Sequence, residues 1–277
     1  MDIASAYVSV DGLAGSYTII ALNAIVLLSV IGQAIYQRQL NARLVYILLS
    51  SASMLAANAL FCSLVNSRTS AYSAVTSYTL AEYVLVSITP PFAWLVAFDV
   101  YRLVRPPNSS HSRYSFMYLG YLWAAIVIVC VIAVAGSIAS ILERGFFINR
   151  AQAISLYGTF HFNGFGLWAF PVFFAIQWAI CSSEIKRYTS TLLVYVFLLI
   201  CGVVGSTILL AVSLDQLTTL KAFSAASWAN YALVQILTPV ALLWAVFVGH
   251  RWQRPQEHDA HGAKTLQEGS SFQHLEA

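Results

Sequence analysis

One carboxylic acid lies inside an apolar stretch that is long enough to cross a membrane. Glu82 falls within the segment from Ser77 to Val104. A charged carboxylate near the middle of a bilayer costs about 2.5–3.5 kcal/mol on insertion scales, so an acid kept there is a candidate for function. In such surroundings we expect Glu82 to be a neutral acid that can donate a proton. His161, in a later apolar stretch, can accept one. These two residues are the predicted catalytic pair.

Further polar and aromatic side chains lie at a similar depth in other apolar stretches. A rise of about 1.5 Å per residue places most of them roughly 6–12 Å below the outer surface. Taken singly, each asparagine is better explained by a hydrogen bond between helices. Taken together, the side chains form a layer that could bind a substrate. The predicted substrate-binding residues are Asn23, Asn58, Thr89, Asn163, Phe165, Trp168, Ser227, Asn230 and Tyr231.

The elements that must position this layer are membrane-spanning helices. Hydrophobic residues make up 59% of the chain and charged residues only 9%, whereas soluble domains have about a quarter charged. A span needs about 20 apolar residues. The sequence therefore predicts an all-α, polytopic bundle of seven transmembrane helices in residues 1–249, followed by a disordered tail in residues 250–277. The predicted spans are Tyr17 to Tyr36, Leu44 to Leu64, Ser77 to Val104, Tyr114 to Ile141, Tyr157 to Ser182, Thr191 to Leu214 and Phe223 to Val248.

The distribution of basic residues among the loops predicts the orientation of the bundle. Loops after the odd-numbered spans carry more arginine and lysine than the other loops. Because positive loops stay in the cytosol, we expect a lumenal or outside N-terminus and a cytosolic C-terminus. The Asn108 sequon would then lie in the cytosol and remain without sugar.

Two features of the third span are unusual for a transmembrane helix. Pro90 and Pro91 lie at its centre, where they should kink the helix and leave carbonyl groups free. Asp99 and Arg102 lie one turn apart near its end and are predicted to pair beside the lipid headgroups.

Several classes of function are set aside by composition. The net charge of +3 comes from scattered residues without a basic patch, which argues against nucleic-acid binding. The four cysteines form no Cys-x-x-Cys motif and no cluster with histidine, so we expect neither a metal site nor another cofactor. The expected partners are membrane lipid and a lipophilic small-molecule substrate.

The chain resembles the membrane-bound terpene cyclases of fungal meroterpenoid biosynthesis, of the ascofuranone and ascochlorin type. The resemblance lies in its size, its seven compact spans and its acid in the outer half of the bilayer. The Trp-Glu pair of another branch of these cyclases does not occur here. The resemblance implies a cofactor-free enzyme of the endoplasmic reticulum membrane. Such an enzyme protonates a farnesylated or epoxyfarnesyl substrate and lets the cation rearrange.

A seven-helix receptor of the plasma membrane is the alternative interpretation. The chain faintly resembles rhodopsin-like receptors at Asn23, Asn58, Pro171, Pro239 and the Asp-Val-Tyr-Arg stretch of residues 99–102. It departs from them because that stretch is not Asp-Arg-Tyr and because span six lacks a Trp-x-Pro motif.

Overall fold

The computed structural model describes residues 10–38, 40–67, 72–104, 115–143, 165–214, 225 and 228–252. Within these ranges the regular structure is entirely helical. In chain order the elements are α1 (Val10–Gln37), α2 (Ala42–Ser67), α3 (Tyr72–Leu103), α4 (Ser115–Glu143), α5 (Ala169–Ile180), α6 (Ser183–Tyr188), α7 (Leu192–Leu214), a π-helix (Tyr231–Ile236), α8 (Leu237–Val248) and a 3₁₀ turn (Gly249–Trp252).

The lengths and hydropathy of these helices indicate an integral membrane protein. Five segments are long and apolar enough to cross a bilayer: Leu13–Gln37, Ala42–Asn66, Leu80–Leu103, Ser115–Ser140 and Trp228–Val248. Two further apolar helices, Ala169–Ile180 and Leu192–Ile208, are shorter. They lie within the fifth and sixth predicted spans. The five long helices confirm the prediction of a helical membrane protein, whereas the number of seven spans stays a prediction.

Contacts at the helix ends show that α1 and α2 run in opposite directions and that α2 begins beside the end of α8. At one end, Arg43 at the start of α2 donates a hydrogen bond to the carbonyl of Gly249, just after α8. At the other end, Asn66 of α2 donates to the hydroxyl of Tyr17 near the start of α1, at 3.3 Å. This up-and-down order, typical of helix bundles, places the start of α2 and the end of α8 on the same side.

Helix α3 occupies the centre of the bundle. Its residues 93–101 are buried, and it packs against α2, α4, α5 and α7. The indole of Trp94 stacks on Phe170 of α5, with ring centroids 5.9 Å apart and planes 8° from parallel. The helix continues through Pro90 and Pro91 without interruption. Residues on both sides of the proline pair therefore belong to one helix.

Candidate functional site

Glu82 lies in the first half of α3 and is half-buried. Among the residues that the structure describes, its carboxyl group has neither a hydrogen-bond partner nor an ion-pair partner. The next polar residue on the same face, two turns further along, is Thr89. An acid without a counter-charge inside an apolar span can react with a molecule that reaches it, because no bond to the protein has to be broken first.

Thr89 is fully buried and its hydroxyl is already engaged. Its Oγ1 donates to the carbonyl of Leu85 at 2.9 Å, within α3. Its own carbonyl accepts a hydrogen bond from Ser50 Oγ of α2 at 3.2 Å. Thr89 thus joins α3 to α2, and its role in substrate binding stays a prediction.

The two asparagines of the first two spans are buried and hydrogen-bonded. Asn23 Nδ2 donates to the carbonyl of Ile19 at 2.9 Å, and its Oδ1 accepts from Ser51 Oγ of α2 at 2.8 Å. Asn58 Nδ2 donates to the carbonyl of Met54 at 3.0 Å. The Asn23–Ser51 bond is the interhelical bond that a single asparagine in a membrane helix is expected to make.

The two predicted aromatic residues before α5 are exposed. Phe165 is 47% exposed and Trp168 is 37% exposed. The Trp168 indole donates to Thr207 Oγ1 of α7 at 2.8 Å, so it joins two helices. Asn230 and Tyr231 are half-buried at the start of the π-helix, and the Tyr231 ring lies edge-on to Trp228 with centroids 5.6 Å apart.

Three of the predicted site residues, His161, Asn163 and Ser227, lie outside the described residues. The described residues therefore bring together only part of the predicted layer. Asn23 is bonded to α2 and Thr89 accepts a bond from α2, whereas Asn58 bonds within its own helix. Within the described residues, no group of three histidine, cysteine or acidic side chains could hold a metal ion.

A small cavity lies between α3, α7 and the last span. Its volume is about 10 Å³, about the room of one water molecule and far below that of a prenyl chain. The lining residues are Pro90, Ala93, Trp94, Leu167, Leu199, Gly202, Val203, Ser206, Val234 and Thr238. The wall is apolar except for two hydroxyl groups, Ser206 and Thr238.

A buried charged cluster at the Arg43 end of the bundle was not predicted. Asp99 has no exposed surface, and its Oδ1 accepts from Arg102 at 2.7 Å and from the Tyr121 hydroxyl of α4 at 3.2 Å. Arg43 is also fully buried, and its charge interacts with that of Asp99. The predicted Asp99–Arg102 pair is present, and its acid is buried among the helices, whereas its position beside the headgroups stays a prediction. The missing signal was Arg43, which the sequence places at the start of a span like any loop cation.

The second unpredicted feature is the π-helix at Tyr231–Ile236. It packs on two glycines of α7. A Cβ built on Gly205 would lie 2.8 Å from Leu233 Cβ, and one on Gly202 would lie 3.4 Å from the Leu233 carbonyl oxygen. These contacts agree with the close helix approach that glycine permits in membranes. π-Helical turns are frequent at functional sites.

No family model, no curated protein and no solved structure matches this chain. Function is therefore inferred from the side chains themselves. Of the described residues in the predicted site, Glu82 is the one carboxylic acid, and it lies inside a span without any bond to described residues.

Proposed function

We propose that the protein is a membrane-embedded terpene cyclase or isomerase that protonates a lipophilic prenylated or epoxyprenylated substrate without a cofactor. The observation that carries this proposal is the half-buried Glu82 carboxyl inside an apolar span, free of partners among the described residues. Insertion of an acid at that position costs free energy, so its presence there points to a function. A neutral carboxylic acid in apolar surroundings is the group that acid-initiated chemistry requires.

The proposed reaction needs a proton donor, protection of a cation and a proton acceptor. Glu82 gives its proton to an alkene or an epoxide oxygen of the substrate. Aromatic side chains such as Phe165 and Trp168 stabilise the resulting cation through their ring faces and exclude water. The cation then loses a proton to His161 or to water. One proton enters and one leaves, so the product is an isomer of the substrate.

The substrate class follows from the surroundings of the acid. The cavity beside Trp94 is too small for a prenyl chain, so the substrate does not bind there in the conformation described. Glu82 itself is only half-buried, so a lipophilic molecule dissolved in the bilayer can reach its carboxyl group from the side. A lipid-soluble substrate is therefore part of the proposal, and the resemblance to the fungal cyclases adds an endoplasmic reticulum location.

The test is expression in a host whose membranes are supplied with an epoxyfarnesyl phenol. We expect a cyclised product with the mass of the substrate in membranes containing the protein and none in membranes of the host alone. Alkenyl substrates without the epoxide, offered in parallel, show which group is protonated. If no substrate of either type yields an isomer, the cyclase proposal fails.

A receptor is the second candidate, and one observation favours it. The Asp99–Arg102 pair lies near the end of α3, where rhodopsin-like receptors carry their charged triplet. Here Asp99 is buried and accepts a hydrogen bond from Tyr121. If the protein is a receptor, we expect it at the cell surface, and we expect it to respond to a ligand that stays chemically unchanged. Retention in the endoplasmic reticulum together with isomer formation excludes this candidate.

A further inference from the structure

The cavity between α3, α7 and the last span carries two hydroxyl groups on its otherwise apolar wall. Ser206 belongs to α7, and Thr238 follows the π-helix directly. Neither hydroxyl has a hydrogen-bond partner among the residues that the structure describes. Other hydroxyls in this bundle behave differently: Thr89 and Thr207 donate to carbonyls one turn earlier, at 2.9 and 2.8 Å.

Thr238 directly follows the π-helix and lacks the usual bond to its own helix. A threonine in an α-helix donates to the carbonyl four residues earlier, which here is that of Val234. At the end of the π-helix, the Leu237 N–H already bonds to the carbonyls of Ala232 and Val234. The Thr238 side chain lines the cavity and makes no hydrogen bond to a described residue.

The size and chemistry of the cavity fit one water molecule. A volume of about 10 Å³ is at the threshold for holding a single water. Purely apolar cavities of proteins stay dry, whereas a buried water needs two to four polar partners. Ser206 and Thr238 supply two.

We propose that this cavity binds one ordered water, held by the hydroxyls of Ser206 and Thr238, which bridges α7 to the last span beside the π-helix. The water satisfies the hydroxyls of the half-buried Ser206 and the buried Thr238, which have no partner among the described residues. It also lies against Trp94, whose side chain is 1% exposed. The inference goes beyond the proposed function because it requires neither a substrate nor a reaction.

X-ray radiolytic labelling in ¹⁸O-water tests the proposal on the full-length protein in detergent or nanodiscs. Radiolysis of an ordered water produces hydroxyl radical in place, so a buried side chain beside it becomes oxidised. We expect rapid ¹⁸O incorporation at Trp94. Trp252 is equally buried, at 0% exposure, and does not line the cavity, so it should remain unlabelled. Absence of label at Trp94 in the wild-type protein overturns the proposal.

A substitution that fills the cavity makes the test specific. A Cβ on Gly202 lies 3.9 Å from Thr238 Oγ1 and takes part of the space of the water, so Gly202→Ala should lower Trp94 labelling at least about tenfold. The matched control is Gly136→Ala, because a Cβ there meets no atom within 4 Å. Its labelling should equal that of the wild-type protein.

Removal of the hydroxyls separates water binding from packing. Thr238→Val keeps the shape of the side chain but removes the hydroxyl, and it should lower Trp94 labelling as Gly202→Ala does. Trp252 reports folding, since its label rises if a variant unfolds. Unchanged Trp94 labelling in a folded Thr238→Val, Ser206→Ala double variant contradicts the proposed site.

Discussion

Two acids on α3 have contrasting surroundings. Asp99 is fully buried and bonded to Arg102 and Tyr121, and its charge interacts with that of Arg43. Glu82 is half-buried and has no bond to any described residue. An acid that is hydrogen-bonded and ion-paired within the protein, such as Asp99, has a structural role in the bundle. An acid without such bonds is free to meet a substrate.

Replacement of Asp99 should destabilise the bundle more than replacement of its exposed partner. Asp99→Asn weakens the bonds from Arg102 and Tyr121 and removes the negative charge that interacts with the buried Arg43, and a lost hydrogen bond to a charged group costs about 1.5–3 kcal/mol. Arg102 is 50% exposed, so Arg102→Gln should cost no more than about 1 kcal/mol. Denaturant unfolding in detergent measures both. Equal losses of stability would show that Asp99 is solvated.

The sequence was sufficient to single out individual polar residues and the local Asp99–Arg102 pair, but not partners that are distant in the chain. Asn23 and Asn58 were predicted to lie inside the bundle, and both are buried. Arg43 was missed because a cation at the start of a span normally reaches out to the headgroups. Its burial depends on the 3₁₀ turn after α8, where Gly249 offers its carbonyl, and this contact joins residues 206 positions apart. Such long-range contacts leave no local pattern.

At the level of the elements, the first four helices could be predicted closely. The third predicted span, Ser77 to Val104, overlaps α3 at Tyr72–Leu103, because an apolar run of that length has no alternative to helix in a membrane. The π-helix was not predictable. It adds one residue to a turn, and it is stabilised by packing on Gly202 and Gly205, which lie on another helix.

The packing of α4 on α3 gives a prediction with a control in the same helix. A Cβ on Gly120 would lie 2.6 Å from the ring of Phe98, which is fully buried and cannot move aside. Overpacking of this kind costs about 1–3 kcal/mol, so Gly120→Ala should lower the thermal unfolding temperature. Gly136→Ala lies in open space and should have no such effect. Equal unfolding temperatures for the two variants would mean that α3 and α4 are further apart than described.

At the level of the whole molecule, the opposite directions of α1 and α2 agree with a protein that crosses the membrane repeatedly. The predicted orientation comes from loop charges alone, and most of those loops, like the Asn108 sequon, lie outside the described residues. The predicted tail of residues 250–277 overlaps the structure only up to Trp252. Trp252 is fully buried, and its indole donates to Thr191 Oγ1 at 2.8 Å.

Glycosylation in a eukaryotic host tests the orientation. We expect Asn108 to remain without sugar, because cytosolic sequons are not modified. A sequon in an added N-terminal extension should be glycosylated, since that end is predicted to face the lumen. A mobility shift on removal of N-glycans measures both. Sugar on Asn108, or an unmodified N-terminal sequon, would reverse the topology.

The central claim is that the Glu82 carboxyl supplies the proton, and turnover of Glu82→Gln tests it most directly. General acids contribute about 10²–10⁴-fold, so we expect conversion of an epoxyfarnesyl phenol to fall at least about 100-fold. Glu184→Gln, the same chemical change on the short helix α6, is the matched control and should retain wild-type turnover. Unfolding temperatures of both variants should match that of the wild-type protein. A folded Glu82→Gln variant that still turns over within about twofold of wild type would contradict the account.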